Sequence, residues 1–238
     1  TQPESSAASD VYKRQVKELV ENSLDAGAKN IWIRIEDGGT SLIVVRDDGK
    51  GMDRIDAENA FTKHATSKIR VFDDLQTVNT SGFRGEALPS IASISRLRMS
   101  TCAKGQDIGT QVTIEGENDL LIEELATPLG TKIEVADLFF NTPVRSKYLK
   151  RISTELQHIV KIVTVEAIRR PDVSFTLNHG ERKIIDAPES DLKTRIGVLL
   201  GNDAAKELIE FKGDSEDFQL RGFLTKPAIS RKTTSGLY

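Results

Sequence analysis

A single change of hydrophobic period, between Gly27 and Ile31, constrains this chain more than any other feature. Val16, Leu19, Val20 and Leu24 recur at helical spacing, and Gly27 stands where a helix would be capped. Directly afterwards Ile31, Ile33 and Ile35 alternate with Trp32, Arg34 and Glu36, which is strand spacing. Asp37-Gly38-Gly39 turns the chain, and Ser41–Arg46 returns as a second strand. Further on, Arg54–His64 reads as helical, Thr77–Gly85 as loop and Leu88–Ile94 as a short helix, followed by strands at Arg96–Cys102, Gly109–Gly116 and Gly130–Val135. Glu155–Arg170 carries Leu156, Ile159, Val160, Ile162 and Val163 in a helical pattern that Pro171 stops. Val173–Leu177 and Lys183–Ile185 read as a further strand pair. Helices interleaved with hairpins predict an α+β sandwich rather than a doubly wound parallel sheet.

The two ends read differently. Residues 1 to about 10 are rich in Ser and Ala, without periodicity, and are expected to be a disordered lead-in. Pro188-Glu189-Ser190-Asp191 reads as a linker, followed by a helix at Leu192–Leu200 and a strand at Phe218–Leu224. The expected organisation is a lead-in over 1–15, a main domain over 16–188 and part of a second domain over 189–238.

Composition narrows the function classes. The chain has 238 residues, 38% of them hydrophobic, which suffices for one substantial core. Its net charge of −3 lacks the basic excess of a dedicated DNA-binding domain. Cys102 is the single cysteine, so no internal disulfide or cysteine-based zinc cluster can form. Neither a membrane-length apolar run nor a secretory signal is present in the sequence, and a cytoplasmic setting is expected.

Three short strings carry chemistry. Glu18 and Asn22 are four residues apart on the first helix and share a face, with Asp25 beyond them. A carboxylate can take a proton from water, and a carboxamide oxygen suits Mg²⁺, a hard cation. Asp47-Asp48-Gly49-Lys50-Gly51 follows a strand; a carboxylate there can accept from an exocyclic amine such as adenine N6, and the glycines permit close backbone approach. Thr80-Ser81-Gly82-Phe83-Arg84-Gly85-Glu86 runs into a helix start, an arrangement that can hold phosphate on backbone N–H groups. Upstream, the hydroxyls and ammonium of His64-Ala65-Thr66-Ser67-Lys68 are of the right kind for phosphate or ribose, whereas His64 has no partner for a metal site. Taken alone, the Glu18–Asn22 pair is more often a solvated helix face, the acidic loop is equally a tight turn, and the glycine string also suits a flexible surface loop.

Taken together and in this order, they resemble the MutL family of DNA mismatch repair proteins. The resemblance rests on Lys17–Ala28, Asp47–Met52, His64–Lys68 and Gly82–Leu88, with Gly130–Val135 and Leu138–Arg145 further along. MutL proteins belong to the GHKL ATPases, with gyrase, heat-shock chaperones and histidine kinases. The helix, the Asp-Gly loop and the glycine lid resemble that whole superfamily, so a topoisomerase ATPase subunit is the rival within it. The Gly82–Leu88 string and His64–Lys68 are specific to MutL. The match runs from about residue 16 to at least 225.

The resemblance implies a two-layer GHKL (Bergerat) ATPase sandwich with a mixed, mostly antiparallel sheet, followed by the start of a second domain like ribosomal protein S5. It implies ATP and Mg²⁺, with slow hydrolysis. Glu18 would be the general base and Asn22 the Mg²⁺ ligand. Asp47 would read the adenine amine, with Gly49, Gly51 and Met52 flanking the base and Thr131 near it on a strand. Thr66, Ser67, Lys68, Gly82, Phe83, Arg84, Gly85, Glu86, Ala87 and Leu88 would form the lid over the phosphates. Asp48 stands where many members have Asn, a polar residue of equal size. Implied partners are a second MutL-type subunit, a MutS-type mismatch sensor, a downstream nuclease or helicase, and DNA. For DNA, Arg145, Lys147, Lys150 and Arg151 form a local basic patch that equally suits a solvated turn. Residues 1–15 show no counterpart of the family's opening helix and arm, and the second domain's phosphate lysine has no assignable residue here. A nucleotide-binding module without turnover is therefore the alternative to a working ATPase.

Overall fold

The computed structural model describes residues 4–62, 87–116, 118–147, 149, 151–201, 205–206, 208–215 and 219–225. Helix α1 (Glu4–Asp25) leads into strand β1 (Asn30–Glu36), a 3-10 turn (Asp37–Gly39) and β2 (Leu42–Asp47), followed by α2 (Arg54–Asn59) and α3 (Ala87–Ala92). Strands β3 (Arg96–Cys102), β4 (Gly109–Glu115), β5 (Leu121–Leu125) and β6 (Gly130–Ala136) come next, then α4 (Pro143–Ser146) and α5 (Ile152–Arg169). The pair β7 (Ser174–His179) and β8 (Arg182–Ala187), helix α6 (Leu192–Leu200) and the hairpin of β9 (Leu208–Asp214) with β10 (Gln219–Thr225) complete the order.

Eight strands form one sheet in the order β5-β4-β3-β6-β2-β1-β7-β8. All neighbours pair antiparallel except β1 with β7, which run parallel. The mixed, mostly antiparallel α+β sandwich is therefore present. One face of the sheet is covered by helices, and the strand alternation shows which. Leu177, Ile33, Val45, Ile133, Met99 and Val112 lie side by side across six strands and are all buried. Val16, Leu19 and Val20 of α1 and Ile159, Val163 and Ala167 of α5 pack onto this face as one core. The opposite face is polar and solvated, as one face of an antiparallel sheet can be. There Arg46 stacks over Trp32 at 5.0 Å.

One expectation fails. The first ten residues were expected to be disordered, yet α1 begins at Glu4 and runs unbroken to Asp25. No glycine or proline interrupts that span, so nothing in it breaks helix propagation from the amphipathic half backwards. The proposed linker is a connection between β8 and α6, and α6 itself is pinned to the main sheet unit. Arg195 is fully buried. Its Nη1 donates to the Ala167 carbonyl at 2.8 Å, and its Nη2 faces the carbonyls of Pro171, Val173 and Pro188 at 3.1, 2.8 and 2.8 Å. These acceptors come from the last turns of α5, the turn after it, and the β8–α6 connection, so one guanidinium ties three segments together.

Candidate nucleotide site

The site grows from strand register. Ile43, Val45 and Asp47 alternate onto the core face of β2, so Asp47 occupies a position where the pattern calls for an apolar residue. Its neighbours in that row are Thr131 on β6, then Thr101 on β3 and Thr110 on β4. All four are buried. From β2 through β6 and β3 to β4 the last row of the core face thus turns polar, while the next row inward is wholly apolar.

Asp47 is held by neutral donors. Oδ1 accepts from the Gly49 N–H at 2.9 Å and the Thr131 N–H at 3.3 Å, and Oδ2 from the Ser23 hydroxyl at 2.9 Å. Ser23 belongs to α1, so this last bond fixes the helix against the strand. Burial pushes the Asp47 carboxyl above its ordinary value, against the opposing pull of those three hydrogen bonds. A carboxylate has about four acceptor positions, so these three donors leave room for one more. Among the described residues no cation pairs with Asp47.

Asp48 has the opposite environment. Its Oδ1 accepts from the N–H groups of Lys29 and Asn30, each at 2.8 Å, and its Oδ2 from the Asn30 side chain at 2.7 Å. Burial raises its pKa, but the Asn30 and Lys29 donors outweigh burial and hold the group below its ordinary value. It fastens the start of β1 to the end of β2.

The glycines answer to protein, not only to ligand. Gly51 has φ +65, and a Cβ on it would lie 1.9 Å from the Cys102 carbonyl oxygen. Gly130 has φ +108, and its Cβ would lie 2.2 Å from the Asp47 carbonyl oxygen. Close approach of ligand was the expected reason for Gly49 and Gly51; the observed close approach is of the loop to β3 and to α1, since a Cβ on Gly49 would meet that of Ala26 at 2.8 Å. The loop is further held by Lys50 N–H on the Ala26 carbonyl (2.9 Å) and Met52 N–H on the Thr101 hydroxyl (2.9 Å).

Glu18 and Asn22 share a face of α1 one turn apart, both partly buried, and Asn22 is adjacent in sequence to Ser23, the Asp47 partner. The Glu18 carboxylate has no hydrogen bond or ion pair among the described residues. Glu21, by contrast, is buried and pairs with Lys17 at 3.5 Å. The structure therefore brings together Asp47, Gly49, Gly51, Met52 and Thr131, with α1 alongside. Ala87 and Leu88 open α3, which packs on α1. Thr66, Ser67, Lys68, Gly82, Phe83, Arg84, Gly85 and Glu86 lie outside the described residues. Of the basic patch, Arg145, Lys147 and Arg151 are exposed around α4 and the start of α5, and Lys150 lies outside the described residues.

Ser23 and Thr101, two buried polar residues around Asp47, were missed. Ser23 sits at helical spacing after Leu19 and Val20, and Thr101 in phase with Leu97 and Met99, so both were readable as polar groups on a buried face.

A family model described as "Histidine kinase-, DNA gyrase B-, and HSP90-like ATPase" matches residues 10–135. A DNA mismatch repair protein MutL from Anaeromyxobacter sp. (strain K) is 44% identical over 236 residues, 98% of this chain and 39% of that protein. One from Trichlorobacter lovleyi is 44% identical over 235 residues, 98% of this chain and 40% of that protein. The chain thus spans about two-fifths of these curated relatives. Among solved structures, the Aquifex aeolicus MutL ATPase domain complexed with ADP superposes with TM-score 0.69 at 31% identity, covering 90% of this chain and 76% of that one.

Proposed function

We propose a function from the premise that this chain belongs to the histidine kinase-, DNA gyrase B- and HSP90-like ATPase family and, within it, to the MutL mismatch repair proteins. The chain is the ATPase region of such a protein, and its proposed task is to bind ATP and hydrolyse it slowly. The observation that carries the reading is Asp47: a buried carboxylate with three neutral donors, no cation and one acceptor position to spare.

In this reading Asp47 accepts a hydrogen bond from the adenine amine, while the loop Gly49–Met52 and Thr131 wall the base. Glu18 takes the proton of the water that attacks the γ-phosphorus, as the bond to the β-phosphate oxygen breaks and leaves ADP and phosphate. Thr66, Ser67, Lys68 and Gly82–Leu88 enclose the phosphates. The donor chemistry of Asn22 fits Mg²⁺, which prefers oxygen and keeps several waters, so one carboxamide oxygen suffices beside phosphate oxygens. When bound, Mg²⁺ supplies charge neutralisation on the phosphates.

The wider setting is proposed from family membership: a nucleotide-switched dimer of MutL-type subunits that links a MutS-type sensor to a downstream nuclease or helicase. DNA would contact Arg145, Lys147, Lys150 and Arg151. The segment from α6 onward would open an S5-like second domain. Among the described residues no helix is long and apolar enough to cross a membrane, and a cytoplasmic place is proposed.

The deciding experiment measures phosphate release with Mg-ATP for the wild type and Glu18→Ala, with nucleotide binding by calorimetry. Loss of turnover with binding retained in Glu18→Ala supports the reading. Equal rates in both proteins remove Glu18 as the base. Binding without release in the wild type makes this chain a nucleotide-binding module.

A further inference from the structure

The two edges of the main sheet are finished differently. At one edge α6 packs against β8, and the β7–β8 ladder slips between Leu177 and Asn178. At the other edge β5 pairs with β4 without a slip, from Leu121 opposite Thr113 to Leu125 opposite Gly109. Among the described residues no further strand pairs with the outer side of β5, and four of its five side chains are exposed. The strand holds no proline. Alternate residues of such an edge turn their N–H and C=O groups to solvent, where they form a template for another strand.

The side chains decide what that strand can be. Leu121, Glu123 and Leu125 point to the open face of the sheet, and Ile122 and Glu124 to the core face, in phase with Val112. Leu121 and Leu125 are 56% and 37% exposed. Glu123 and Glu124 are exposed and, among the described residues, in no ion pair; Glu123 accepts one long bond, 3.5 Å, from the Gln111 side chain. The stretch from Gly105 to Leu129 contains Asp107, Glu115, Glu117, Asp119, Glu123 and Glu124 and no lysine or arginine. Of these, Glu115 meets Arg96 at 3.7 Å. Charges on an exposed edge commonly guard it against other strands, and here the guard has one sign. A second copy of β5 laid antiparallel in register places Glu123 opposite Glu123, and laid parallel it places each glutamate beside its own copy. Like charges directly opposite destabilise a pair. Phosphate backbones are repelled by the same carboxylates. A strand with cationic side chains is attracted.

We infer that β5 is a docking edge for a basic, extended segment of a partner protein, which adds to the sheet as a further strand beside Leu121–Leu125. Antiparallel pairing sets the matching pattern. Opposite Leu125, Glu124, Glu123, Ile122 and Leu121 in turn, the incoming side chains are apolar, cationic, cationic, apolar and apolar. The apolar ones cover Leu125, Ile122 and Leu121, and the two cations meet Glu124 on one face of the sheet and Glu123 on the other. Backbone hydrogen bonds supply the affinity and the side chains the selection. Exposed charge pairs contribute little each, so the contact is weak and reversible.

The test follows the fluorescence anisotropy of a labelled peptide, Gly-Thr-Val-Lys-Lys-Val-Val-Thr amide with fluorescein at its N-terminus, as the 238-residue chain is added up to ~0.5 mM. Saturable binding is expected, and none for the peptide with both lysines replaced by glutamate. Two further peptides, N-methylated on one or the other alternating set of residues, keep the charge. The one whose methyl groups face β5 should bind about tenfold more weakly than the other. On the protein, Glu123→Gln with Glu124→Gln should weaken the lysine peptide several-fold, and Glu123→Lys with Glu124→Lys should exchange its preference for that of the glutamate peptide. Both pairs of changes lie on exposed side chains, and a thermal melt checks each fold; the glutamine variant suffices should the lysine variant not fold. Absence of binding to the lysine peptide by wild type overturns the inference. Equal affinity for the two methylated peptides reduces the contact to charge attraction and overturns it too, as does undiminished affinity in the glutamine variant.

Discussion

Asp47 and Arg195 are both charged groups taken out of water, and each is held by neutral partners alone. They sit close in the fold: Asp47 pairs with Ile31 on β1, Ile31 with Phe175 on β7, and the Arg195 guanidinium lies 5.9 Å from the Phe175 ring. Their bonding differs. Arg195 meets four carbonyls and fastens α5, its following turn and α6 into one piece. Asp47 has three donors and capacity for one more. Arg195, though its Nε has no partner, spends its bonds on backbone that ties the fold together, whereas Asp47 keeps an acceptor position at a strand end for the proposed ligand.

Removal of the Arg195 charge should have the largest effect on stability. Arg195→Met strands four carbonyls, and a loss of ~3 kcal/mol or more is expected in a urea titration. The comparison breaks if the folded fraction of this variant also loses ADP affinity as strongly as an Asp47 variant does. Asp47→Asn should reverse the pattern. Stability stays within ~1 kcal/mol because the buried charge is removed while the amide oxygen still accepts from the Gly49 and Thr131 N–H groups, and ADP affinity drops about 100-fold, or ~2.7 kcal/mol, by calorimetry.

The pH dependence sharpens the same contrast, this time between two aspartates. Burial raises Asp47, so its folded form binds a proton more readily than its unfolded form. Its contribution therefore favours folding in acid and is lost as pH rises through the folded pKa. Asp172 behaves oppositely: the Arg170 side chain holds it at about 2 against an ordinary 3.8. Its contribution is present above pH 3.8 and lost as pH falls toward about 2. A calorimetric pH series should therefore show ADP affinity falling at a pH above 3.8, before the melting temperature responds to Asp172, and Asp47→Asn should abolish that dependence. The smallest effect belongs to Asp48→Asn. The amide oxygen still accepts from the Lys29 and Asn30 N–H groups and the Asn30 side chain can turn to suit, so a loss below ~1 kcal/mol is expected in a urea titration.

The sequence declared the fold class through period, and α5, β3 and α6 lie close to where their patterns put them. It concealed β5, which forms the edge of the sheet with both faces largely exposed and so has no alternation to read. It also concealed the helical start of α1, whose first residues lack periodicity but contain nothing that stops a helix. Within the site, Asp47 was legible as an acidic residue after a strand. Ser23 and Thr101 were readable as polar groups on buried faces, but a serine in a helix and a threonine in a strand carry no local mark of the long-range bonds they make. The register that places Asp47, Thr131 and Thr101 in one row reveals Thr101, and the packing of α1 against β2 reveals Ser23.

The single parallel pairing has a kinetic side. Every strand that contributes to the proposed base site is contained in residues 42–136 and pairs antiparallel with its neighbours. The β1–β7 pairing instead joins Ile31 to Phe175, positions about 140 residues apart, and closing so remote a loop is slow relative to hairpin formation. On a ribosome the pocket is assembled while β1 still waits for its last neighbour. During that interval Ile31, Ile33 and Ile35 belong to an unpaired strand edge. Pulse-labelled exchange during refolding should find the amides of β3 and β6 protected earlier than those of β7.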